Sequence, residues 1–322
     1  MKALAEFDPF FATTIAPQLE GLETMRRAAL RNTVIAACVV GVVLMGIVAV
    51  FGSSGILGVL MVGGVIGLGA VAFFAALFTK DNKAAFKEHA IRPLIRFYDE
   101  ECEYFPERCI PESEFRACCL FERRPDRYSG NDFVSGTLGQ TAFHFSEIHA
   151  EYKTEHRNSK GHTTTSWHTI FRGVFFVADF NKSFKGQTYV FPDTAENLLG
   201  SWLGGALQKL SGPGELVKLE DPEFEKLFAV YSGDQVEARY ILSQSLMRRM
   251  VEYRTKHKRE MHFAFMGSQL IAAISFNEDL FEPPIWSPVT KPELYRAFLT
   301  DLDSVLSIVE ELNLNLRIWT KE

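Results

Sequence analysis

A chain of 322 residues is long enough for a membrane anchor plus one or two domains with sizeable cores, and its 47% hydrophobic content is ordinary for a globular protein. The formal net charge of -6 argues against a general nucleic-acid binder. Five cysteines, an odd set with no C-x-x-C pair, favour free thiols in a reducing compartment over a disulfide framework or a zinc site.

Residues 1–32 open with Phe10, Phe11, Ile15, Leu19, Leu22 and Met25 at three- and four-residue steps, interrupted only by Pro17. That spacing predicts an amphipathic helix on the cytoplasmic side. No charged residue occurs from Thr33 through Thr79, and the only break in the apolar run is "GSSG" at Gly52, Ser53, Ser54 and Gly55. The two apolar segments, 33–51 and 56–78, would be roughly 28 and 34 Å long as helices, which matches a hydrocarbon core about 30 Å thick. A transmembrane helical hairpin follows, because a helix satisfies its own backbone hydrogen bonds in lipid. Arg26, Arg27 and Arg31 precede the first span, Lys80, Lys83 and Lys87 follow the second, and the turn is uncharged. Both termini are therefore expected in the cytoplasm. Gly63 and Gly67 have the spacing that lets helix backbones approach, so they are assigned to helix packing in the membrane, first within the hairpin and second between copies.

Residues 79–110 read as a cytoplasmic helix and linker. Phe86, Ala90, Ile91, Leu94, Ile95 and Tyr98 continue the helical spacing, and Pro93 should kink it. Each amphipathic face needs a partner, and the two helices flanking the hairpin are close by construction, so they are expected to pack together.

From residue 111 to 322 the texture becomes that of a cytoplasmic α+β domain: an antiparallel sheet with flanking helices. "DFVSGTLGQTAFHFSEIHAEYKTEH" and "HTTTSWHTIFRGVFFVADF" form a long hairpin around "RNSKG" at residues 157–161. After Gly173 the second strand is apolar at both parities, Phe175 and Val177 against Val174, Phe176 and Ala178, which marks a central strand. Residues 196–210 suggest a weak helix with an apolar face that includes Trp202 and Leu203. Asp221 and Pro222 open a short helix, "FAVYS" and "VEARYIL" read as strands, and Ser243 caps a helix from Gln244 to about Lys256. "EMHFAFMGSQLIAAISF" is two strands around Gly267 and Ser268, and Thr290 with Glu293 forms a capping box for the last helix.

Taken together, "FSEIHAEY" (145–152), "FRGVFFVADFNKSFKGQTYVFPD" (171–193), "FEKLFAVYSGDQVEARYIL" (224–242) and "LFEPP" (280–284) resemble a bacterial family known only as a domain of unknown function. The resemblance implies two N-terminal membrane spans and a cytoplasmic C-terminal domain, hence the bacterial cytoplasmic membrane. It supplies no catalytic residue, metal ligand or cofactor.

Chemistry is sparse by motif. Five histidines, His144, His149, His156, His162 and His168, fall close together, but His144 and His149 have opposite strand parity and His156 and His162 flank a solvated tip. Glu147, Glu151 and Glu155 share one strand face with Lys153, the pattern of the wet side of a sheet. No G-x-S-x-G elbow, H-E-x-x-H pair or phosphate-binding glycine loop is present. Arg248, Arg249, Arg254, Lys256, Lys258 and Arg259 concentrate positive charge on an acidic chain; with Trp202 and Leu203 they are the candidate contacts for anionic lipid or a protein partner. The expected function is a membrane-anchored binding or scaffold module, non-enzymatic, with the bilayer and a protein as partners, no nucleic acid, no cofactor, and self-association through the spans. The alternative is a membrane-bound hydrolase assembled from residues such as Glu147, His149 and Asp179.

Overall fold

The computed structural model describes residues 6–51, 83–138, 141–157, 163–179, 184–193, 214–276, 281–283, 287–300, 302, 303 and 306. The chain forms two compact units, one of residues 1–98 with 281–297, the other of residues 99–280 with 298–322.

The first unit is helical. Its chain runs through α1 (Phe7–Phe10), a π-turn (Phe11–Ile15) and α2 (Ala16–Phe51), then a second π-turn (Lys87–Ile91) and α3 (Arg92–Tyr98). Both π-turns stand just before a proline. Pro17 and Pro93 have no N–H and crowd the carbonyl four residues back, so the helix widens by one residue: Ala16 N–H donates to the Phe11 carbonyl, and Arg92 N–H to that of Lys87. The kink expected at Pro93 takes this form.

The amphipathic faces on either side of the apolar segments do pack. Phe7, Phe11, Ile15, Leu19 and Leu22 are buried with Phe86, Ala90, Ile91, Leu94 and Ile95, and Phe10 stacks on Phe97 at 4.3 Å between ring centroids. Met25 is the exception, 54% exposed rather than on the buried face. Glu23 ties this unit to its distant segment: it accepts from Arg26 and Arg27 at 2.8 Å and from the Val289 backbone N–H at 3.2 Å. The Arg26 guanidinium, helped by Arg27 and the Val289 amide against the cost of burial, lowers its carboxyl to about 2.

Among the described residues no helix is long and apolar enough to cross a membrane. The "GSSG" turn and the second apolar segment lie outside those residues, as do the side chains at 44, 45 and 47–51 of the first.

Among the described residues the second unit is built on a nine-stranded antiparallel sheet, order β1-β2-β3-β4-β9-β8-β5-β7-β6. The strands are β1 (Glu103–Phe105), β2 (Arg127–Leu138), β3 (Thr141–Arg157), β4 (Thr163–Asp179), β5 (Thr188–Pro192), β6 (Glu215–Val217), β7 (Phe228–Ser232), β8 (Met261–Met266) and β9 (Gln269–Ser275). Among the described residues its helices include α4 (Glu112–Ala117), α5 (Pro222–Glu225), α6 (Gln235–Ile241) and α7 (Gln244–His257). This is the α+β class the sequence predicts.

As expected from its two apolar parities, β4 lies inside the sheet, between β3 and β9. One face bears Phe171, Phe175 and Val177 against Ile271 and Ala273 of β9 and Phe115 of α4; Phe115 and Phe175 rings lie 5.3 Å apart. The opposite face bears Phe176 against Phe143 and Phe145, at 5.8 and 6.2 Å. α5 belongs to that second face, where Phe224 stacks on Phe228 at 5.0 Å.

"VEARYIL" differs from its strand reading: it is α6. The Asp234 carboxylate accepts from the N–H groups of Val236 and Glu237, satisfying donors that a helix start leaves open. That cap overrides the β-branched and aromatic composition. Glu237 then accepts from the backbone N–H groups of Lys185 and Gly186 at 2.8 and 2.7 Å, pinning the turn that follows β4 to α6.

Candidate functional site

Three neighbouring strands form a polar groove of about 390 Å³ on the sheet face that bears Phe176. β2 contributes Ser129 and Asn131, β3 contributes Glu147 and His149, and β4 contributes Arg172. The alternation of side chains makes this grouping: Ser129 pairs with His149, His149 with Arg172, and Asn131 with Glu147. Gly130 and Gly173 lie in the floor, where a β-carbon would meet the Glu147 carbonyl at 2.2 Å and the Ile274 carbonyl at 2.0 Å. Without side chains there, the strands can close on each other.

The groove sets one guanidinium beside one carboxylate and one imidazole. Next to it Glu151 stands 3.1 Å from Arg127 and 3.7 Å from His149, so a row of alternating charge continues along the sheet. Such a surface offers donors and acceptors to a polar group. No nucleophile is activated in it by the described contacts: the Ser129 hydroxyl donates to the His149 carbonyl at 3.5 Å, not to its imidazole. Glu147 and His149 do share the groove, but Asp179 pairs with Ala142 and falls on the other face of the sheet. The hydrolase constellation of Glu147, His149 and Asp179 is therefore not brought together.

The histidines disperse. His144 accepts or donates to Glu114 at 2.8 Å on the α4 side, His149 lines the groove, and His168 meets the Thr154 hydroxyl at 2.9 Å. His156 is exposed and His162 lies outside the described residues. Among the described residues no three His, Cys, Asp or Glu side chains are grouped to hold a metal ion. All five cysteines are free thiols; burial, with nearby acidic groups second, pushes Cys102 up to about 12, and burial does the same for Cys118.

The basic cluster sits on and after α7. Ser243 caps the helix by accepting from Leu246 N–H, and Leu246, Met247, Met250 and Tyr253 form its buried face. Arg248, Arg249 and Lys256 are exposed on the helix, and Lys258, in the left-handed conformation that ends it, is exposed beyond. Arg254 and Arg259 are half-buried, and the Arg259 guanidinium lies 3.8 Å from the centre of the Phe276 ring. Burial, with the Arg254 charge second, lowers the His262 imidazole to about 4. Four of the six bases thus point outward. Trp202, Leu203, Gly63 and Gly67 lie outside the described residues.

Sequence reasoning does not assemble the groove, because it depends on the register of three strands. The parity of Glu147 and His149 is the one signal of it in the chain, and Arg172 joins only through the β3–β4 pairing.

No curated protein matches the sequence. Among solved structures, the crystal structure of the mycobacterial trehalose monomycolate transport factor A, TtfA, aligns at 13% identity and a TM-score of 0.36, covering 71% of this chain and 94% of that one. At that score the likeness transfers neither fold nor role. A family model described as "Protein of unknown function (DUF3137)" matches residues 169–314, from the middle of β4 to beyond β9, so this part of the chain is similar to that family.

Proposed function

We propose that the protein is a membrane-anchored cytoplasmic binding module of the bacterial inner membrane, held by a hairpin of residues 33–51 and 56–78 with both termini in the cytoplasm. One observation supports the anchor above the rest. Val34, Ile35, Val39, Val42 and Val43 of α2 are each more than half exposed, a run of bare apolar side chains on one continuous helix. In water such a patch is costly, whereas each Val or Ile withdrawn from water contributes about 1.5–3 kcal/mol. Gly63 and Gly67 would then close the hairpin.

On this reading the outward bases of α7, Arg248, Arg249, Lys256 and Lys258, meet anionic headgroups, with Trp202 and Leu203 as companion contacts. Each base near such a surface contributes about 1 kcal/mol. The spans therefore fix the protein in the bilayer, and the bases decide how the sheet unit lies on it. On the same reading the polar groove of Glu147, His149 and Arg172 is the place where a protein partner's polar side chains would dock.

The lipid contact is tested on the full chain in nanodiscs, with an environment-sensitive label at Thr255, exposed on α7. A headgroup-borne quencher should quench the label strongly in discs containing anionic lipid and weakly in neutral ones, and the triple change Arg248→Ala, Arg249→Ala, Lys256→Ala should abolish the difference. Equal quenching in both lipids would reject α7 as the lipid-reading element.

A further inference from the structure

β4 is central in its second half only. It pairs with β9 over Gly173–Asp179, and upstream of that pairing the Arg172 carbonyl accepts the Phe276 N–H at 3.0 Å. From Thr163 to Phe171 no strand among the described residues pairs with its outer side, and every residue from Thr163 to Thr169 is exposed. With the end of β3 it forms a two-stranded arm beyond the sheet.

The two edges of that arm are treated differently. Along β3 the outer edge is blocked: Asp126 donates its N–H to the Glu151 carbonyl and accepts the Lys153 N–H on its carboxylate, both at 2.8 Å. Lys153, Glu155 and Arg157 add charge on the same strand, the usual protection against stray strand pairing. Elsewhere the sheet ends in strands of only three residues, β1 and β6. The run "TTTSWHTIF" on β4 has none of these devices: no Asp, Glu, Lys, Arg or Pro, and a composition of β-branched and aromatic residues that favours strands.

We propose that this edge of β4 pairs antiparallel with the same edge of a second copy, joining two sheets into one. The absence of charge identifies the occupant. In a two-fold interface residue i faces j while j faces i, so a charged residue near the axis would meet its own kind or a neighbour of uncontrolled sign. Between Thr163 and Phe171 every such pairing is drawn from Thr, Ser, Trp, His, Ile and Phe, and no like-charge pair arises in any register. The arm's own charges sit on β3, one strand away from the contact, and the Arg127 guanidinium of β2 that reaches over Trp167 is ion-paired with Glu151 at 3.1 Å. Trp167, 40% exposed and stacked by Arg127 at 4.0 Å, is placed to meet a β-branched or aromatic side chain across the pair.

The test uses the full chain in detergent micelles. With the pairing centred on Trp167, mass photometry should show a dimer, and the double change Thr165→Lys, Thr169→Lys, at exposed positions that face each other across that axis, should weaken it about tenfold or more by setting ammonium groups against each other. Trp167→Cys should give a covalent dimer on oxidation, whereas Glu155→Cys, on the protected strand, should not. A monomeric wild-type chain, a dimer indifferent to the double lysine change, or equal crosslinking at 155 and 167 would each overturn the proposal. The crosslinking arm stands even where a variant loses stability.

Discussion

Gly173→Ala should destabilise the sheet unit by about 3 kcal/mol or more, one of the largest single-residue effects in the chain. Gly173 has a φ of +152°, a conformation L side chains rarely adopt, and an added β-carbon would lie 2.0 Å from the Ile274 carbonyl, 2.8 Å from the Phe276 nitrogen and 2.9 Å from the Ser275 α-carbon. All three are backbone atoms of β9 or of the residue that follows it, so no side chain can swing aside; β9 itself would have to move. Gly267→Ala is the control. It also has a positive φ, +58°, but nothing stands within 4 Å of the added carbon, so about 1 kcal/mol is expected. Thermal and denaturant unfolding of the purified chain separates the two, and equal losses would mean that the close approach of β4 and β9 is absent.

Phe175→Ala should cost about 3–5 kcal/mol. Its side chain is fully buried, with Phe115 at 5.3 Å and Phe171 at 6.4 Å, so truncation leaves a cavity that α4 and the sheet cannot both close. Thr169→Ala, in the exposed half of the same strand, should change stability by no more than about 0.5 kcal/mol. The gradient along one strand is the measurable point: denaturant midpoints should fall sharply for the first and hold for the second.

That gradient was half readable in the amino-acid order. The alternation of Phe175 and Val177 against Val174 and Phe176 announces a strand covered on both faces, and the structure places it between β3 and β9. The polar run before Gly173 announces exposure, but not that one of its edges is capped by Asp126 and the other open, since Asp126 precedes β2 and reaches Lys153 only through the fold. Helix caps were readable where a short polar residue precedes an apolar run, as at Asp221 and Ser243. Asp234 was missed because "VEARYIL" has strand-like residues and the cap alone decides for the helix. β1 and α4 were also missed: they are three and six residues long, too short for any period to register. The groove and the Glu23–Val289 hydrogen bond depend on contacts between residues far apart in the chain, which spacing within a segment does not encode.

Membrane anchorage carries most of the functional account, because the role of α7 and the orientation of the sheet unit follow from it. The most direct measurement is the labelling of single cysteines, Ser54→Cys or Ser159→Cys in a cysteine-free chain, by a membrane-impermeant maleimide on intact cells. For an anchored chain with both termini in the cytoplasm, position 54 should be labelled from outside and position 159 should react only after the cells are permeabilised. Labelling at 159 but not at 54, or recovery of the chain in the soluble fraction, would contradict that placement.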